Sequence, residues 1–335
     1  MKKTDISNLP AAMSQIKKMY GDGAIFDLGN FRTDGIKVIP TGSINIDNVT
    51  GIGGLPLGRI VEIFGPESSG KTTLCLHVIA EAQRLQRLGI LKGTCAFIDA
   101  EHALDSAYAT RIGVDINKLK FSQPDYGEQA LEIVDILVDS KSVDLIIVDS
   151  VAALVPQSEI DGEMGDASMA THARLMSKAL RKLTAKVSNN EVLLIFINQL
   201  RSKIGVMFGN PEITTGGNAL KFYATMRIDL RKREDVKKNE KIIGTKNRVK
   251  IVKNKIASPF RETFIRINFG NGIDKYSELV EASIQSDKVK QSKGWIIMKY
   301  KNELFKFNGR DKFRDAIFEN KRLFRYLYNK CKEAK

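Results

Sequence analysis

Cysteine and histidine are scarce, with three of each in 335 residues. Cys75, Cys95 and Cys331 are widely spaced and form no Cys-x-x-Cys pair, so neither a disulfide framework nor a zinc site is indicated. Cys75 and Cys95 are expected to be reduced thiols packed as small apolar groups. No apolar run approaches the roughly eighteen residues needed to cross a bilayer. The start, Met1-Lys2-Lys3-Thr4-Asp5, lacks the apolar core of a signal peptide, so the chain is expected in the cytoplasm. Internal repeats and low-complexity stretches are absent as well. Acidic residues are in deficit: 39 Asp and Glu stand against 53 Lys and Arg, a formal net charge of +14. Such an excess favours polyanionic partners and says nothing about fold. From Glu281 to Lys335 the count is 15 basic against 7 acidic, so +8 of the +14 lies in that stretch. Solvated lysines alone would also account for it.

What is present alternates strand and helix. Residues 7–20 predict a short amphipathic helix, with Leu9, Met13, Ile16 and Met19/Tyr20 on one stripe and Gly21-Asp22-Gly23 ending it. A helix this short needs a surface to pack on, its own core or a neighbouring subunit. Arg59–Phe64 reads as a strand and Lys71–Leu88 as a helix. Further strands are expected at Thr94–Asp99, Val143–Asp149 and Val192–Ile197, with a helix near Glu128–Ser140. Runs such as Leu145-Ile146-Ile147-Val148 suit central strands covered on both faces. Thr225–Leu230 and Arg248–Lys253 alternate apolar and polar residues, as half-buried strands do. The expected fold is α/β: a mostly parallel central sheet flanked by helices, a short N-terminal helix and a small α+β C-terminal domain. The expected boundaries are 1–35, 36–272 and 273–335.

Gly65-Pro66-Glu67-Ser68-Ser69-Gly70-Lys71-Thr72 fits the phosphate-loop pattern G-x-x-x-x-G-K-[ST], between a predicted strand and a predicted helix. Backbone N–H groups of such a loop turn inward around phosphate oxygens, Lys71 reaches the β/γ-phosphates, and Thr72 can bind Mg²⁺. Asp149 ends an apolar strand, where a carboxylate that orients magnesium through water in the cation's shell belongs. Glu101 follows the Cys95–Asp99 strand and can project over the same carboxyl edge, placed to activate water; a surface carboxylate is the alternative.

The wording of these motifs is more specific than that of phosphate-loop ATPases in general. Gly65–Thr73, Cys95–Asp105, Val148–Leu154, Phe196–Gln199, Gly205–Pro211, Thr215–Tyr223 and Val252–Phe260 resemble segments of the bacterial RecA recombinases, over roughly residues 8–280. The resemblance implies ATP and Mg²⁺ as cofactors, with Gly65 to Thr73, Asp105, Tyr108, Asp149 and Pro259 at the nucleotide. It makes Glu101 the water-activating residue and Gln199 a sensor of the γ-phosphate. Asp105 and Tyr108 would hold the adenine, Tyr108 by stacking. Lys253 and Lys255 would reach the ATP of an adjacent subunit, as arginine fingers do elsewhere. The N-terminal helix would dock on the next protomer and build a helical filament, an interface that does not close. The segment Gln86–Gly93 looks a few residues longer than the family pattern. The stretch beyond about 280 matches weakly, and the acidic tail typical of many members is not seen in Asn329–Lys335.

Read from the residues, Met169, Ala173, Met176, Leu180, Leu183 and Val187 form a buried helical stripe, and Arg174, Lys178 and Arg181 a separate basic one. A basic stripe is usually a solvated face; the resemblance nominates Met169, Arg174 and Arg181 for DNA contact. The expected loop Leu200–Thr214 carries Ile204, Val206, Met207 and Phe208 among glycines, with Arg201, Lys203 and Asn210. Such apolar groups can wedge between bases while cations hold the backbone, unless the loop is tucked into the core. The basic, aromatic-dotted end of the chain suits duplex capture or an ordinary small core with a basic shell. The expected function is ATP-dependent homologous pairing and strand exchange by a filament on single-stranded DNA, in recombinational repair and the SOS response. Partners would be single- and double-stranded DNA and further copies of the chain, with repressor and recombination mediator proteins besides. A hexameric helicase with a similar core, or a passive single-strand-binding protein, are the rival readings.

Overall fold

A computed structural model of the chain describes residues 9–21, 24–25, 36–162, 169–202, 212–301 and 303–332. By internal contacts the chain falls into two units, Met1–Lys37 and Val38–Lys335. In the first, Leu9–Tyr20 is helical.

The second unit is built on a sheet that has ten strands among the described residues. Its order is Gly272–Ile273, Glu262–Asn268, Lys241–Asn254, Met226–Lys238, Ile60–Gly65, Leu193–Ser202, Val143–Asp149, Thr94–Asp99, Leu119–Ser122. From Met226–Lys238 to Leu119–Ser122 every neighbouring pair is parallel. The remaining three pairings, out to Gly272–Ile273, are antiparallel. The apolar runs are continuous because both faces are covered. Leu145 and Ile147 join one core with Leu74, Val78 and Phe97, under the helix Lys71–Arg87. Ile146 and Val148 join another with Val134, Leu180 and Phe196, under the helices Gly127–Asp139 and Met169–Asn189. Each fully buried Leu, Ile or Phe contributes about 1.5–3 kcal/mol. Parallel strands all deliver their carboxyl ends to one edge, and the phosphate loop, Asp149, Glu101 and Gln199 sit there.

Two strands run further than their apolar residues predict. Leu193–Ser202 continues through polar Asn198 and Gln199 because Leu200–Ser202 pairs antiparallel with Glu212–Thr214. The stretch expected as a loop from Leu200 to Thr214 therefore begins and ends as a strand pair. Met226–Lys238 and Lys241–Asn254 form a long hairpin whose turn residues, Asn239 and Glu240, have φ of 48° and 63°. Positive φ at both positions suits the twist of a tight hairpin.

The C-terminal part has its own core of Leu279, Val280, Ile296, Met298, Phe313, Ile317, Leu323 and Leu327. It consists of the helices Lys275–Gln285, Gly309–Glu319 and Lys321–Cys331 with a three-stranded antiparallel sheet. Ile44, from the short helix Ile44–Val49, belongs to that core. The three cysteines are free and buried.

Candidate functional site

The phosphate loop is fixed by what its glycines approach. A Cβ on Gly65 would lie 2.0 Å from the carbonyl oxygen of Leu230, so no other residue fits the end of this strand. Gly70 has φ of +88°, and a Cβ there would lie 2.3 Å from Ile267 Cδ1. Gly70 caps the helix Lys71–Arg87 without a side chain, leaving the first N–H groups of the helix to the loop's concavity. Asn247, from the antiparallel extension, donates to the Ser69 carbonyl at 2.7 Å and props the loop from behind. Lys71 Nζ donates to the carbonyls of Pro66 at 2.8 Å and Gly65 at 3.2 Å. Burial lowers its pKa, and the nearby carboxylates of Asp149 and Glu101 oppose that shift.

Thr72 Oγ1 donates to Asp149 Oδ2 at 2.7 Å. Burial raises the Asp149 pKa to about 6; Thr72 and Lys71 work against this, while Glu101 and Asp99 add to it. A hydroxyl and a carboxylate side by side, with two further carboxylates near, form the oxygen-rich, negative environment that suits a hard divalent cation. Glu101 is exposed to the cleft, and its Oε1 accepts from Ser150 Oγ and, at 2.7 Å, from Gln199 Nε2. Ala100 and Glu101 donate their N–H groups to the Asp149 carbonyl at 2.7 and 3.2 Å, which locks the two strand ends together. The cleft encloses about 370 Å³ and is lined by Glu67 to Thr73, Glu101, Tyr108, Asp149 and Gln199. Its far wall is Thr245 and Ile267, from two strands, and Phe269 and Gly270, from the turn after the second, none of which sequence reasoning connected with the site. Asp99 is a second omission: it accepts from the N–H groups of Ala103 and Leu104 at 3.3 and 3.2 Å and so shapes the turn after Glu101.

A phosphate loop with a magnesium-type carboxylate and a carboxylate–glutamine pair on one sheet edge narrows the family, and comparison with known proteins decides it. The RecA N-terminal domain family matches residues 7–274. The chain belongs to the RecA family. The RecA protein of Rickettsia canadensis (strain McKiel) is 56% identical over 288 residues, 86% of this chain and 82% of that protein. Those of Rickettsia africae (strain ESF-5) and Rickettsia conorii (strain ATCC VR-613 / Malish 7) are each 56% identical over 294 residues, 88% of this chain and 83% of theirs. As a RecA-family member the protein is a DNA-dependent ATPase of homologous recombination and DNA repair, and it binds ATP and DNA and assembles with itself into filaments. The helicase and passive-binder readings are not favoured. Among the described residues no helix is long and apolar enough to cross a membrane.

The other residues that the RecA resemblance nominates are more dispersed. Tyr108 lines the cleft, with its hydroxyl 3.0 Å from Thr73 Oγ1. Asp105 caps the helix Ser106–Ile112, accepting from the N–H groups of Ala107 and Tyr108 at 2.8 and 3.0 Å, and thereby orients Tyr108. Pro259 is exposed between the strands Lys241–Asn254 and Glu262–Asn268, away from the residues that line the cleft. Lys253 and Lys255 are also outside the cleft of their own chain. Lys253 Nζ donates to the carbonyls of Lys221 at 2.5 Å and Phe222 at 3.0 Å, and Lys255 Nζ to Phe222 at 3.4 Å. Both carbonyls belong to the short helix Ala219–Tyr223. On the helix Met169–Asn189, Met176, Leu180, Leu183 and Val187 are buried, while Arg174, Lys178 and Arg181 are exposed together. Arg201 is exposed on the strand pair and Ala173 is half-buried. The side chain of Met169 and all of Lys203, Met207, Phe208 and Asn210 lie outside the described residues.

Proposed function

We propose that ATP binds in the cleft with its phosphates on Gly65–Thr73, and that Glu101 activates the water that attacks the γ-phosphorus. The observation that carries this reading is the convergence of Lys71, Thr72, Asp149, Glu101 and Gln199 on one edge of the sheet. Thr72 and Asp149 would hold a Mg²⁺ ion, Asp149 by way of water, and the ion would offset phosphate charge. Lys71 leaves the loop carbonyls for the β/γ-phosphates and stabilises the charge that spreads over the equatorial oxygens. Glu101 takes a proton from the attacking water as the bond to the ADP oxygen breaks. Tyr108 stacks on the adenine, Asp105 fixes it by capping its helix, and Pro259 borders the base from the adjoining subunit edge.

Gln199 shares Glu101 Oε1 with Ser150. Its amide has to turn from Glu101 to donate to a γ-phosphate, and the strand that carries it runs directly into residues 203–211. Nucleotide state thus reaches the segment with Lys203, Met207, Phe208 and Asn210, which grips single-stranded DNA together with Arg201, Arg174, Arg181 and Met169. Lys253 and Lys255 complete the ATP site of a neighbouring subunit. Residues 1–35 serve assembly, 36–272 form the ATPase core, and 273–335 a small basic domain. The cytoplasm, with repressor and mediator proteins as further partners, is the setting this activity calls for. ATP turnover measured with and without single-stranded DNA tests the reading: stimulation is expected, and equal rates overturn it.

A further inference from the structure

Strand register places three charged residues in one row. Glu62 on Ile60–Gly65 lies opposite Arg227 on Met226–Lys238. Arg227 in turn lies opposite Lys253 on Lys241–Asn254. Directly opposed residues share a face of the sheet, so their side chains are neighbours. Glu62 is wholly buried and is ion-paired with Arg227 Nε. The Arg227 guanidinium also lies 4.6 Å from the centre of the Phe64 ring. A buried ion pair contributes little net stability against an apolar pair of the same volume. Its consequence lies in what it holds in place.

On one side it holds Asn198. The Asn198 Nδ2 donates to Glu62 Oε1 at 2.9 Å and to the Thr215 carbonyl at 3.1 Å. Its Oδ1 accepts from Gln199 N at 2.9 Å and from Thr215 Oγ1. The amide cannot flip, because its oxygen would then face the Glu62 carboxylate. Asn198 precedes Gln199, and Thr215 follows the strand Glu212–Thr214, so both stems of segment 203–211 meet at this amide. On the other side, Glu62 neutralises the guanidinium beside Lys253. Like charges opposed across a ladder repel, and without Glu62 Arg227 would push on Lys253.

We propose that Glu62 is a positioning residue for ATP turnover: it sets the Asn198 amide that anchors Gln199 and Thr215, and it neutralises Arg227 so that Lys253 keeps its place. The inference rests on the reading of Gln199 and Lys253 given above.

Glu62→Gln keeps the size and an oxygen for Asn198 but removes the charge. In the full-length protein on single-stranded DNA, kcat for ATP is expected to fall about tenfold or more while KM stays within about threefold. Glu62→Asp restores the charge and is expected to recover part of kcat. The double variant Glu62→Gln with Arg227→Gln is expected to lose less than the sum of the single losses. Unchanged DNA-stimulated kcat in Glu62→Gln overturns the proposal. So does a loss of melting temperature with a raised KM that Glu62→Asp does not relieve, since that is a structural role only. Should Glu62→Gln fail to fold, Asn198→Ala, which leaves Glu62 and Arg227 paired but removes the amide that Glu62 sets, is read instead, and unchanged kcat again overturns it. Gln199→Ala separates the two failures. Lost stimulation there with normal Glu62→Gln rejects Glu62 alone, whereas full stimulation in Gln199→Ala rejects the Gln199 reading whatever Glu62→Gln does.

Discussion

Gln199 donates to Glu101 over 2.7 Å, joining two strands that the Val143–Asp149 strand separates. The residue proposed to sense the γ-phosphate and the one proposed to activate water are thus in direct contact, so one side chain cannot move without changing the surroundings of the other. Glu101→Gln should leave ATP and DNA binding intact and slow turnover about 100-fold or more, the range for loss of a general base. Lys71→Ala should instead lose ATP-dependent function altogether. Nucleotide binding by fluorescence beside steady-state turnover separates the two; wild-type turnover in Glu101→Gln removes Glu101 from the mechanism.

Stability should depend on pH through two carboxylates between the core and the C-terminal helices. Asp47 accepts from Thr41 N and Oγ1, both at 2.8 Å, and from the Tyr328 hydroxyl at 3.1 Å. Glu278 Oε2 accepts from Ser43 Oγ at 2.7 Å, and its Oε1 has no hydrogen-bond partner among the described residues. Burial raises Asp47 to about 7 and Glu278 to about 8; Glu81 adds to the first shift, and Asp47 and Asp274 to the second. Between the usual carboxylate range and these values the folded chain holds protons that the unfolded chain releases. Their contribution is therefore complete below about pH 4 and is lost as pH rises through 7 and 8. Glu278→Gln should flatten that loss and be more stable than wild type at pH 8.5, by an amount on the order of a few kcal/mol, with little gain at pH 5. Melting temperatures at the two pH values check this, and parallel pH profiles for the two proteins reject it.

The parts of this fold that could be read from sequence are those where one local pattern decides the outcome. Leu145–Val148 and Leu193–Ile197 announce themselves because burial on both faces leaves no polar position. Helix Met169–Asn189 is legible from its stripe, which ends in buried Leu183 and Val187. The extension of Leu193–Ser202 past Ile197 is not, because Asn198-Gln199 breaks the apolar run and the pairing that sustains it comes from Glu212–Thr214. The hairpin arm Lys232–Lys238 is polar on both faces and carries no period at all. For the same reason the far wall of the cleft was missed: Thr245 and Ile267 reach it by antiparallel pairing at long range, which no motif reports. Glu62 gave no signal beyond a carboxylate in an apolar strand.

Arg174 and Arg181 are exposed on one face of their helix, while its opposite stripe is buried. If they contact phosphates, each change to Ala should weaken binding to every DNA sequence alike and reduce the salt slope of log K by about one. Phe208→Ala, in the following segment, should cost about 1–3 kcal/mol per base if the ring stacks. Affinity for a single-stranded oligonucleotide at several salt concentrations distinguishes the two classes of contact. An unchanged slope in both arginine variants would return that stripe to the status of a solvated face.

The lysines assigned to the neighbouring site allow a test that needs no structure of the filament. Lys253 is held against the carbonyls of Lys221 and Phe222, outside the cleft of its own chain. Burial lowers its pKa, and the charges of Lys255 and Arg227 lower it further. A cation so placed is costly to keep and gains from an anion delivered by another subunit. Lys71→Ala damages the cleft but leaves Lys253 sound, and Lys253→Ala does the reverse. In a filament mixed at random in equal parts, an interface needs a sound cleft (one in two) and a sound Lys253 (one in two), so about a quarter of the open-ended, head-to-tail interfaces are intact. Turnover should therefore rise from near zero in either variant alone to roughly a quarter of wild type in the mixture, and fall on either side of equal proportions. If Lys253 acted within its own chain, no mixture would contain a complete site. Co-polymerisation shown by energy transfer between labelled variants, with no turnover at any ratio, would reject the assignment in trans.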